Sequence, residues 1–285
     1  MSVVSAKGLV KTYGDVQALD GLNLDVKKGQ IVGLIGPNGS GKTTALNAIL
    51  GLNQLDSGDL RVLGLAPLAE RAALMEQVAY IADTGILPKW IKVSDLLACV
   101  GDIHPRFDRN AAIERLQQTE IRLNKRVGVL SKGMHVQLHL AIVLAIDAPL
   151  LVLDEPTLGL DILYRQAFYD AVLNDYFNED RSILVTTHEV REIEHILTDV
   201  VFINRGRCAL NLNMAAAEET FVKLITAQGT DLPAVPISTR KTISGTTHIF
   251  KNVPREALAG LGELSTPNLV ELFVAVVEGQ QGVQE

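Results

Sequence analysis

The sequence predicts an α/β fold with a parallel core sheet, an antiparallel N-terminal part and a small α+β C-terminal appendage. Short apolar runs at 31–35, 150–153 and 182–186 each lead into polar residues, as buried parallel strands do. Segments with the apolar spacing of helices lie between these runs. A glycine-rich loop joins the first run to a helix, and this strand–loop–helix order is typical of phosphate-binding α/β proteins.

Composition and net charge argue against several classes of protein. Hydrophobic residues make up 47% and charged residues 21% of the 285 residues, an ordinary globular balance. The net charge of −7 disfavours a broad nucleic-acid-binding surface, so no nucleic-acid partner is expected. Cys99 and Cys208 form no C-x-x-C pair, so we expect buried thiols and no zinc site or disulfide framework. The longest apolar stretch, 140–153, is interrupted by Asp147 and Pro149. Such a stretch cannot span a bilayer, and no signal peptide is visible, which predicts a soluble cytosolic protein.

The N-terminal residues 3–26 alternate apolar and polar side chains around a turn at Gly14 and Asp15, which predicts paired antiparallel strands. Tyr13 lies in that turn, ahead of the glycine-rich loop. An aromatic side chain at this place could stack on adenine, or it could be an ordinary surface tyrosine of a strand. Its position alone leaves both readings open.

The loop after the first apolar run fits the pattern Gly, four residues, Gly-Lys-Thr. Glycines let backbone N–H groups turn toward phosphate oxygens, and the helix predicted at 44–50 adds its positive dipole end. Lys42 would reach the β- and γ-phosphates of a nucleotide, and the Thr43 hydroxyl would bind Mg²⁺. A glycine-rich turn without a ligand is the alternative. The loop consists of Gly36, Pro37, Asn38, Gly39, Ser40, Gly41, Lys42, Thr43 and Thr44.

The next segments are predicted as a strand at 60–65, a helix at 68–75 and a strand at 78–82. The second strand ends at Asp83. Helical spacing at 93–101 and 110–119 then predicts a helical insertion over 84–119, placed between two parallel strands.

Residues 130–134, Leu-Ser-Lys-Gly-Met, open a long helix that is predicted for 135–146, with Ser131 as its N-cap. The strand at 150–153 ends in two adjacent carboxylates, Asp154 and Glu155. Acids at the C-terminal end of a buried strand are typical of functional sites in α/β sheets. A purely structural Asp-Glu turn is the alternative.

After a helix predicted at 161–177, the strand at 182–186 ends shortly before His188. A single histidine is most often a hydrogen-bonded polar residue. Because His188 follows a strand end in line with Asp154 and the glycine-rich loop, it is also a candidate for contact with a γ-phosphate. A hairpin and a helix complete this part, at 200–204, 207–210 and 214–225.

The composition changes after residue 226, where glycine and proline indicate a linker. A β-like segment at 242–251 and an amphipathic helix at 269–277 follow. This tail is too short for a large core of its own. We therefore expect a small α+β appendage that packs on the main part or on a partner chain.

Three separated elements carry a family resemblance: the loop at 36–44, the Leu-Ser-Lys-Gly-Met segment and the Asp-Glu pair after the 150–153 strand. Over about residues 3–225 the chain resembles the ATP-binding subunits of ABC transporters. The second of these elements reads Ser-Lys-Gly-Met and not Ser-Gly-Gly-Gln. This form resembles that of ABC-2-type exporter ATPases for drugs and antimicrobial peptides. The segment at 104–108 and the C-terminal appendage fit that branch too.

The resemblance implies a P-loop NTPase fold of the ABC ATPase type. Its parts would be a RecA-like parallel-sheet core, an N-terminal antiparallel β subdomain and a helical subdomain at about 84–146. It implies a nucleotide-binding domain at 1–226 and a small appendage at 227–285.

The resemblance also implies roles for residues. Tyr13 would stack on adenine, and the loop at 36–44 would be the Walker A motif, with Lys42 as a catalytic residue. Asp154 ends Walker B and would hold Mg²⁺ together with Thr43. Glu155 would polarise the attacking water.

Further roles concern the other elements. His188 would be the switch histidine that contacts the γ-phosphate, and Asp161 would end the D-loop. The signature would close the site of a second copy across a homodimer. Its residues are Ser131, Lys132, Gly133 and Met134.

Two positions depart from the family pattern. Asp83 stands where the family usually places a glutamine that touches Mg²⁺ and couples to the membrane subunit. A carboxylate can bind Mg²⁺ or water but cannot donate as an amide does. Asp83 is therefore expected in the metal's ligand shell, while a simple cap on the loop at 84–85 is the alternative. Gln137 stands where many members carry arginine.

The implied ligands are ATP and Mg²⁺, and the implied activity is ATP hydrolysis. It would power export through a separate, ABC-2-like integral membrane permease, with the chain peripheral on the cytoplasmic face of the membrane. The alternative is a non-transport ABC-type ATPase that acts on ribosomes or chromosomes. Such proteins usually carry fused ATPase domains, long coiled-coil insertions or basic tails, which the sequence lacks. A small-molecule kinase would leave the signature and His188 unexplained.

Overall fold

The computed structural model describes residues 1–82, 87–158, 161–242 and 245–281. Its strands are β1 (Ser2–Tyr13), β2 (Val16–Lys27), β3 (Ile31–Ile35), β4 (Ser57–Val62), β5 (Val78–Ile81), β6 (Leu150–Asp154), β7 (Ser182–Thr187), β8 (Asp199–Asn204), β9 (Arg207–Asn213), β10 (Phe221–Thr226), β11 (Ser238–Thr242), β12 (Gly245–Lys251) and β13 (Glu263–Ser265). Its α-helices are α1 (Lys42–Ile49), α2 (Arg71–Met75), α3 (Val93–Ile103), α4 (Arg109–Gln117), α5 (Lys132–Leu144), α6 (Ile162–Ala171), α7 (Val190–Ile193), α8 (Met214–Thr220) and α9 (Leu269–Gln281).

The central sheet has the strand order β5-β6-β7-β3-β8-β9. All of its pairs are parallel except β8 with β9. Every residue of β3, β6 and β7 is buried, as the uninterrupted apolar runs predict for strands covered on both faces. The parallel core sheet is therefore confirmed.

The N-terminal part is an antiparallel sheet in the order β2-β1-β4, as the alternating pattern predicts. Helix α1 contributes Leu46 and Ile49 to an apolar cluster that also contains Leu19, Leu22 and Leu34 from the strands. Packing on both sides holds α1 directly after the glycine-rich loop.

The helical insertion is built from α3, α4 and α5. These helices bury a cluster that includes Val93, Leu97, Leu116 and Leu138. Helix α5 starts at Lys132, three residues earlier than predicted, because the Ser131 side chain accepts a hydrogen bond from the Met134 backbone N–H and caps it.

The predicted helix at 214–225 was wrong in its second half. Helix α8 ends at Thr220, and β10 follows at once. The residues of β10, Phe-Val-Lys-Leu-Ile-Thr, are mostly β-branched or aromatic. Pairing with β12 and β13 on its two sides favours the strand, because two ladders of hydrogen bonds outweigh helix propensity.

The C-terminal sheet has the order β11-β12-β10-β13, so the β-like segment predicted at 242–251 is one arm of a hairpin. Helix α9 packs on the main part: Leu269 and Leu272 join the apolar cluster that holds Phe202. The Phe273 ring meets Phe202 edge-on, with centroids 5.2 Å apart. We propose that the boundary between the two units lies at residue 220, just before β10.

The prediction of two buried cysteines was wrong. Cys99 is exposed and Cys208 is half-buried, and both are free thiols. Cys99 lies off the stripe by which α3 buries Val93, Leu96 and Leu97, and helical spacing at 3.6 residues per turn explains this. None of the helices that the structure describes is long and apolar enough to cross a membrane.

Candidate active site

Three parallel strands end at the same edge of the central sheet. In the strand register Ile35 lies beside Thr187 and Asp154 lies beside Thr186. The glycine-rich loop, the Asp-Glu pair and His188 follow β3, β6 and β7 in sequence. The fold therefore gathers at one edge the segments that the sequence singles out.

The glycine-rich loop has no room for side chains at two of its glycines. A Cβ on Gly36 would lie 2.4 Å from the Ile203 carbonyl oxygen, and one on Gly41 would lie 2.5 Å from the Ala18 carbonyl oxygen. Gly41 also has φ +109°. The backbone of this loop is thus held close to β8 and β2 directly before α1, and the N–H groups at the start of a helix can bind an anion.

Ser40 lies inside this loop, and its buried hydroxyl has no hydrogen-bond partner among the described residues. A buried polar atom without a partner costs free energy. The loop therefore retains unused hydrogen-bonding capacity, which fits a phosphate group or its metal ion. Pro37, Asn38 and Gly39 on the outer side of the loop are exposed.

The Lys42 side chain is 7% exposed. Its Nζ donates to the Gly36 carbonyl at 2.8 Å and to the Pro37 carbonyl at 3.3 Å. Burial lowers the pKa of Lys42 from its usual value, while Glu155 and Asp154 oppose that shift. A partly desolvated ammonium group held by neutral carbonyls gains strongly when a phosphate replaces them.

Asp154 is buried and its position is fixed by a neighbouring strand. Thr186 Oγ1 donates to Asp154 Oδ1 at 2.6 Å, and the Glu155 backbone N–H donates to the Thr186 carbonyl oxygen at 3.1 Å. Carboxylate and hydroxyl oxygens are the ligand type that Mg²⁺ prefers. Thr43, at the exposed start of α1, supplies such a hydroxyl.

Glu155 joins the loop to His188. Its Oε1 lies 3.8 Å from Lys42 Nζ, and its Oε2 lies 2.9 Å from His188 Nδ1. The Glu155 backbone has φ +46°, a conformation that non-glycine residues rarely adopt. The carboxylate is therefore oriented between a cation and an imidazole, where it can accept a proton from a bound water.

The residues of the predicted signature lie at the start of α5, next to the start of α6. A Cβ on Gly133 would meet the ring atoms of Tyr164 at 2.7–3.0 Å. Asp161 caps α6, since its Oδ1 accepts from the Tyr164 backbone N–H at 3.1 Å. Ser131 and Lys132 are exposed. This corner thus presents two helix starts to the solvent side by side.

Tyr13 and Asp83 are two further predicted site residues, and of these two only Tyr13 lies among the described residues. Tyr13 is 46% exposed, its hydroxyl accepts from Asn53 Nδ2 at 2.7 Å, and Lys11 Nζ lies 5.2 Å from its ring centroid. Both readings of Tyr13 remain compatible with this placement. Asp83 and the middle of the predicted D-loop, 159–160, lie outside the described residues.

Sequence reasoning missed two residues that shape this site, Thr186 and Tyr164. In the sequence, Thr186 is recognised only as the last residue of an apolar strand. Tyr164 is recognised only as one residue of a predicted helix. The available signal for Thr186 is its place opposite Asp154 once two parallel strands are aligned. No sequence pattern indicates the contact of Tyr164 with Gly133.

Comparison with known proteins places these features in context. A family model described as "ABC transporter" matches residues 19–158. The chain is 32% identical over 262 residues to the "Nod factor export ATP-binding protein I" of Ralstonia nicotianae, covering 86% of this chain and 80% of that protein. It is 30% identical to the "Phosphonates import ATP-binding protein PhnC 1" of Natronomonas pharaonis, covering 76% and 96% of the two.

Solved structures agree with this fold. One described as "Structure of ATP binding subunit of ABC transporter" superimposes with a TM-score of 0.66 at 25% identity. The match covers 74% of this chain and 90% of the other. It supports the P-loop NTPase fold of the ABC ATPase type.

Proposed function

The chain belongs to the ABC transporter family of ATP-binding subunits, and on that premise we propose that it powers export of a small molecule or peptide. ATP hydrolysis with Mg²⁺ is the activity of this family. Export would proceed through a separate, ABC-2-like integral membrane subunit that the chain contacts from the cytoplasmic face.

The observation that carries the catalytic assignment is the position of Glu155 between Lys42 and His188. We assign Glu155 as the residue that orients and polarises the attacking water, and His188 as the residue that fixes the Glu155 carboxylate and the γ-phosphate. Lys42 would exchange its two carbonyl partners for phosphate oxygens. Phosphoryl transfer relies mainly on such positioning and charge stabilisation.

Residues around this core would bind the nucleotide and its metal. When bound, Mg²⁺ would supply positive charge that neutralises the phosphates. Thr43 and Asp154 present the oxygens that fit it, and we propose Asp83 as a further ligand, directly or through one water. Backbone N–H groups of the loop would hold the phosphates, and Tyr13 would stack on adenine.

We further propose that the working form is a homodimer in which the signature of one copy completes the site of the other. The exposed start of α5 supports this, because Ser131 and Lys132 are exposed at a helix N-terminus, which is the positive end of the helix dipole. Asp161, which caps the neighbouring helix, would lie at the same interface.

Export is favoured over import by the Ser-Lys-Gly-Met form of the signature and by the Nod factor export relative. The phosphonate import relative is of the opposite kind.

Purification of the tagged chain from detergent-solubilised membranes of its natural host tests this function. We expect a polytopic partner to co-purify and to stimulate ATPase activity. Vesicles that contain the complex should move the transported compound away from the ATP-accessible side. Co-purification of ribosomes or DNA in place of a membrane protein would contradict the proposal.

A further inference from the structure

A short antiparallel ribbon in the helical insertion, residues 89–93 and 125–129, carries an exposed cationic and aromatic surface. Lys92 and Arg126 pair across it. The Val127 N–H donates to the Ile91 carbonyl and the Val93 N–H donates to the Lys125 carbonyl, both at 2.9 Å. We call this feature the Trp90 ribbon.

The inner side of the Trp90 ribbon is anchored in the helical insertion. Val93 and Val127 are fully buried in the apolar cluster beneath it, and Ile91 packs against them. At one end, the Gly128 N–H donates to the Lys89 carbonyl at 2.8 Å. The backbone of the ribbon is therefore a fixed part of the fold, and the exposed side chains lie on its outer side.

The hydrogen-bond pattern brings two like charges together. The bonds on either side of Lys92 and Arg126 make them a non-hydrogen-bonded pair, the kind in which opposite side chains lie closest. Like charges directly opposite each other destabilise a ribbon. The pair therefore concentrates positive charge at one place on a chain of net charge −7.

No carboxylate within the described residues compensates this charge. Lys89, Lys92, Lys125 and Arg126 are all exposed, and none forms an ion pair with a described carboxylate. The nearest acid in the chain, Asp95, accepts a hydrogen bond from the Ser94 hydroxyl instead.

Apolar side chains lie beside these cations. Trp90 is 74% exposed and Val129 is 69% exposed. Tryptophan favours the boundary between water and lipid because its ring is apolar while its N–H needs a polar partner. Cations beside it favour anionic headgroups. One aromatic ring does not provide the series of stacking platforms with which single-stranded nucleic acids are bound.

We propose that the Trp90 ribbon docks on the surface of a membrane that contains anionic phospholipids. Lys92 and Arg126 face the headgroup phosphates, and the Trp90 ring enters the interfacial layer. This contact is separate from nucleotide binding. Its test needs neither ATP nor a membrane subunit, so it stands apart from the proposed transport function.

Trp90 is the only tryptophan in the chain, so intrinsic fluorescence reports on this site alone. The full-length protein is titrated with vesicles of phosphatidylglycerol and phosphatidylcholine, and with vesicles of phosphatidylcholine alone. We expect the mixed vesicles to shift Trp90 emission to shorter wavelength, and lipids brominated in their acyl chains to quench it. Phosphatidylcholine alone should do neither.

Charge variants distinguish binding through the Trp90 ribbon from a general attraction between exposed cations and anionic lipids. The double variant Lys92→Gln/Arg126→Gln should partition onto mixed vesicles roughly 30-fold less well, as expected for two interfacial cations. Lys7→Gln/Lys27→Gln removes two exposed cations from the N-terminal sheet and should change partitioning less than threefold. Circular dichroism checks that both variants are folded.

Three results would overturn the proposal: no change in Trp90 emission with mixed vesicles, an equal loss of binding in both double variants, or tighter binding to a single-stranded oligonucleotide than to the vesicles. A loss of ATPase activity with vesicle binding retained would contradict only the proposed function.

Discussion

At the scale of single residues, Glu155 is the best-defined feature of the candidate site. Its left-handed backbone turns the carboxylate toward Lys42 and His188, and its side chain is only 13% exposed. The geometry favours a chemical role for Glu155 over a purely structural one.

Glu155→Gln should slow ATP hydrolysis by about 10²–10⁴-fold, because an amide cannot accept a proton from water as a carboxylate does. ATP binding should be retained, since Lys42 and the loop are unchanged. Steady-state turnover and nucleotide titration measure the two effects. Glu189→Gln is the matched control, because Glu189 lies 3.8 Å from the other nitrogen of His188; its turnover should stay within about twofold of wild type. Near-normal turnover of Glu155→Gln would exclude the assigned role.

Asp83 is expected to contribute to the ligand shell of Mg²⁺, because a carboxylate beside a triphosphate needs a compensating cation. Asp83→Asn should therefore weaken the Mg²⁺ dependence of the ATPase rate, and Asp83→Gln should be tolerated better than Asp83→Ala. The measurement is the ATPase rate against Mg²⁺ concentration for the wild type and the three variants. Superimposable curves would show that Asp83 is a turn residue.

At the scale of elements, the starts of α5 and α6 form one unit. The Tyr164 ring lies against Gly133, where any Cβ would be too close. Asp161 fixes the same turn of α6 through its cap. A shift of either helix start would therefore move the other, which links the two segments proposed to act across a dimer interface.

Gly133→Ala should lower the free energy of unfolding by no more than about 1 kcal/mol, because the added methyl group must displace the Tyr164 ring, which is 40% exposed and can turn toward solvent. In a Tyr164→Ala background the same change should raise it by about 0.5–1 kcal/mol, since alanine is the better helix former. Urea denaturation of the four proteins of this double-mutant cycle gives the coupling. An equal cost of Gly133→Ala in both backgrounds would show that the ring contact is not the cause.

At the scale of the whole molecule, the C-terminal unit is packed on the core by α9. Leu272 is 1% exposed and shares an apolar cluster with Phe202 of β8, which is 0% exposed. The small apolar cluster of the C-terminal sheet itself contains few fully buried residues, Val222, Leu224, Phe250 and Leu258. The appendage therefore depends on the main part for much of its buried surface.

Leu272→Ala should destabilise the protein by about 2–5 kcal/mol, the usual cost of a cavity in a packed core. Val235, which is 91% exposed, gives a control: Val235→Ala should change stability by less than about 0.5 kcal/mol. Thermal and urea unfolding followed by circular dichroism measure both. A neutral Leu272→Ala would show that α9 does not contribute to the main core.

If each site is built from two copies of the chain, two inactive variants should restore activity when they are mixed. Lys42→Ala and Ser131→Arg should each be inactive. An equal mixture of the two variants should recover up to about a quarter of wild-type activity. Random pairing makes half of the dimers mixed, and each mixed dimer has one intact site out of two. Lys42→Ala mixed with Glu155→Gln is the control and should recover none, since both defects lie on the same side of a site. Full activity of Ser131→Arg alone would contradict a site shared between copies.

The sequence by itself determined the parallel core and the segments at its active edge. Short uninterrupted apolar runs that lead into polar residues are typical of the inner strands of a parallel sheet, so β3, β6 and β7 were predictable together with the polar residues that follow them. The loop pattern at 36–44 is local, since its glycines and Lys42 act within one strand–loop–helix unit. Such patterns involve only neighbouring residues, so they can be recognised before the packing of the chain is known. The family resemblance rests on them.

Only the tertiary structure decided features that depend on partners distant in sequence. Residues 221–226 became β10 because β12 and β13 offered hydrogen bonds on both sides. The bond between Thr186 and Asp154 exists because two strands align in one register. Tyr164 meets Gly133 because two helices begin at one corner. Each contact joins residues at least 20 positions apart, and local propensity holds no information on which distant segment will supply the partner.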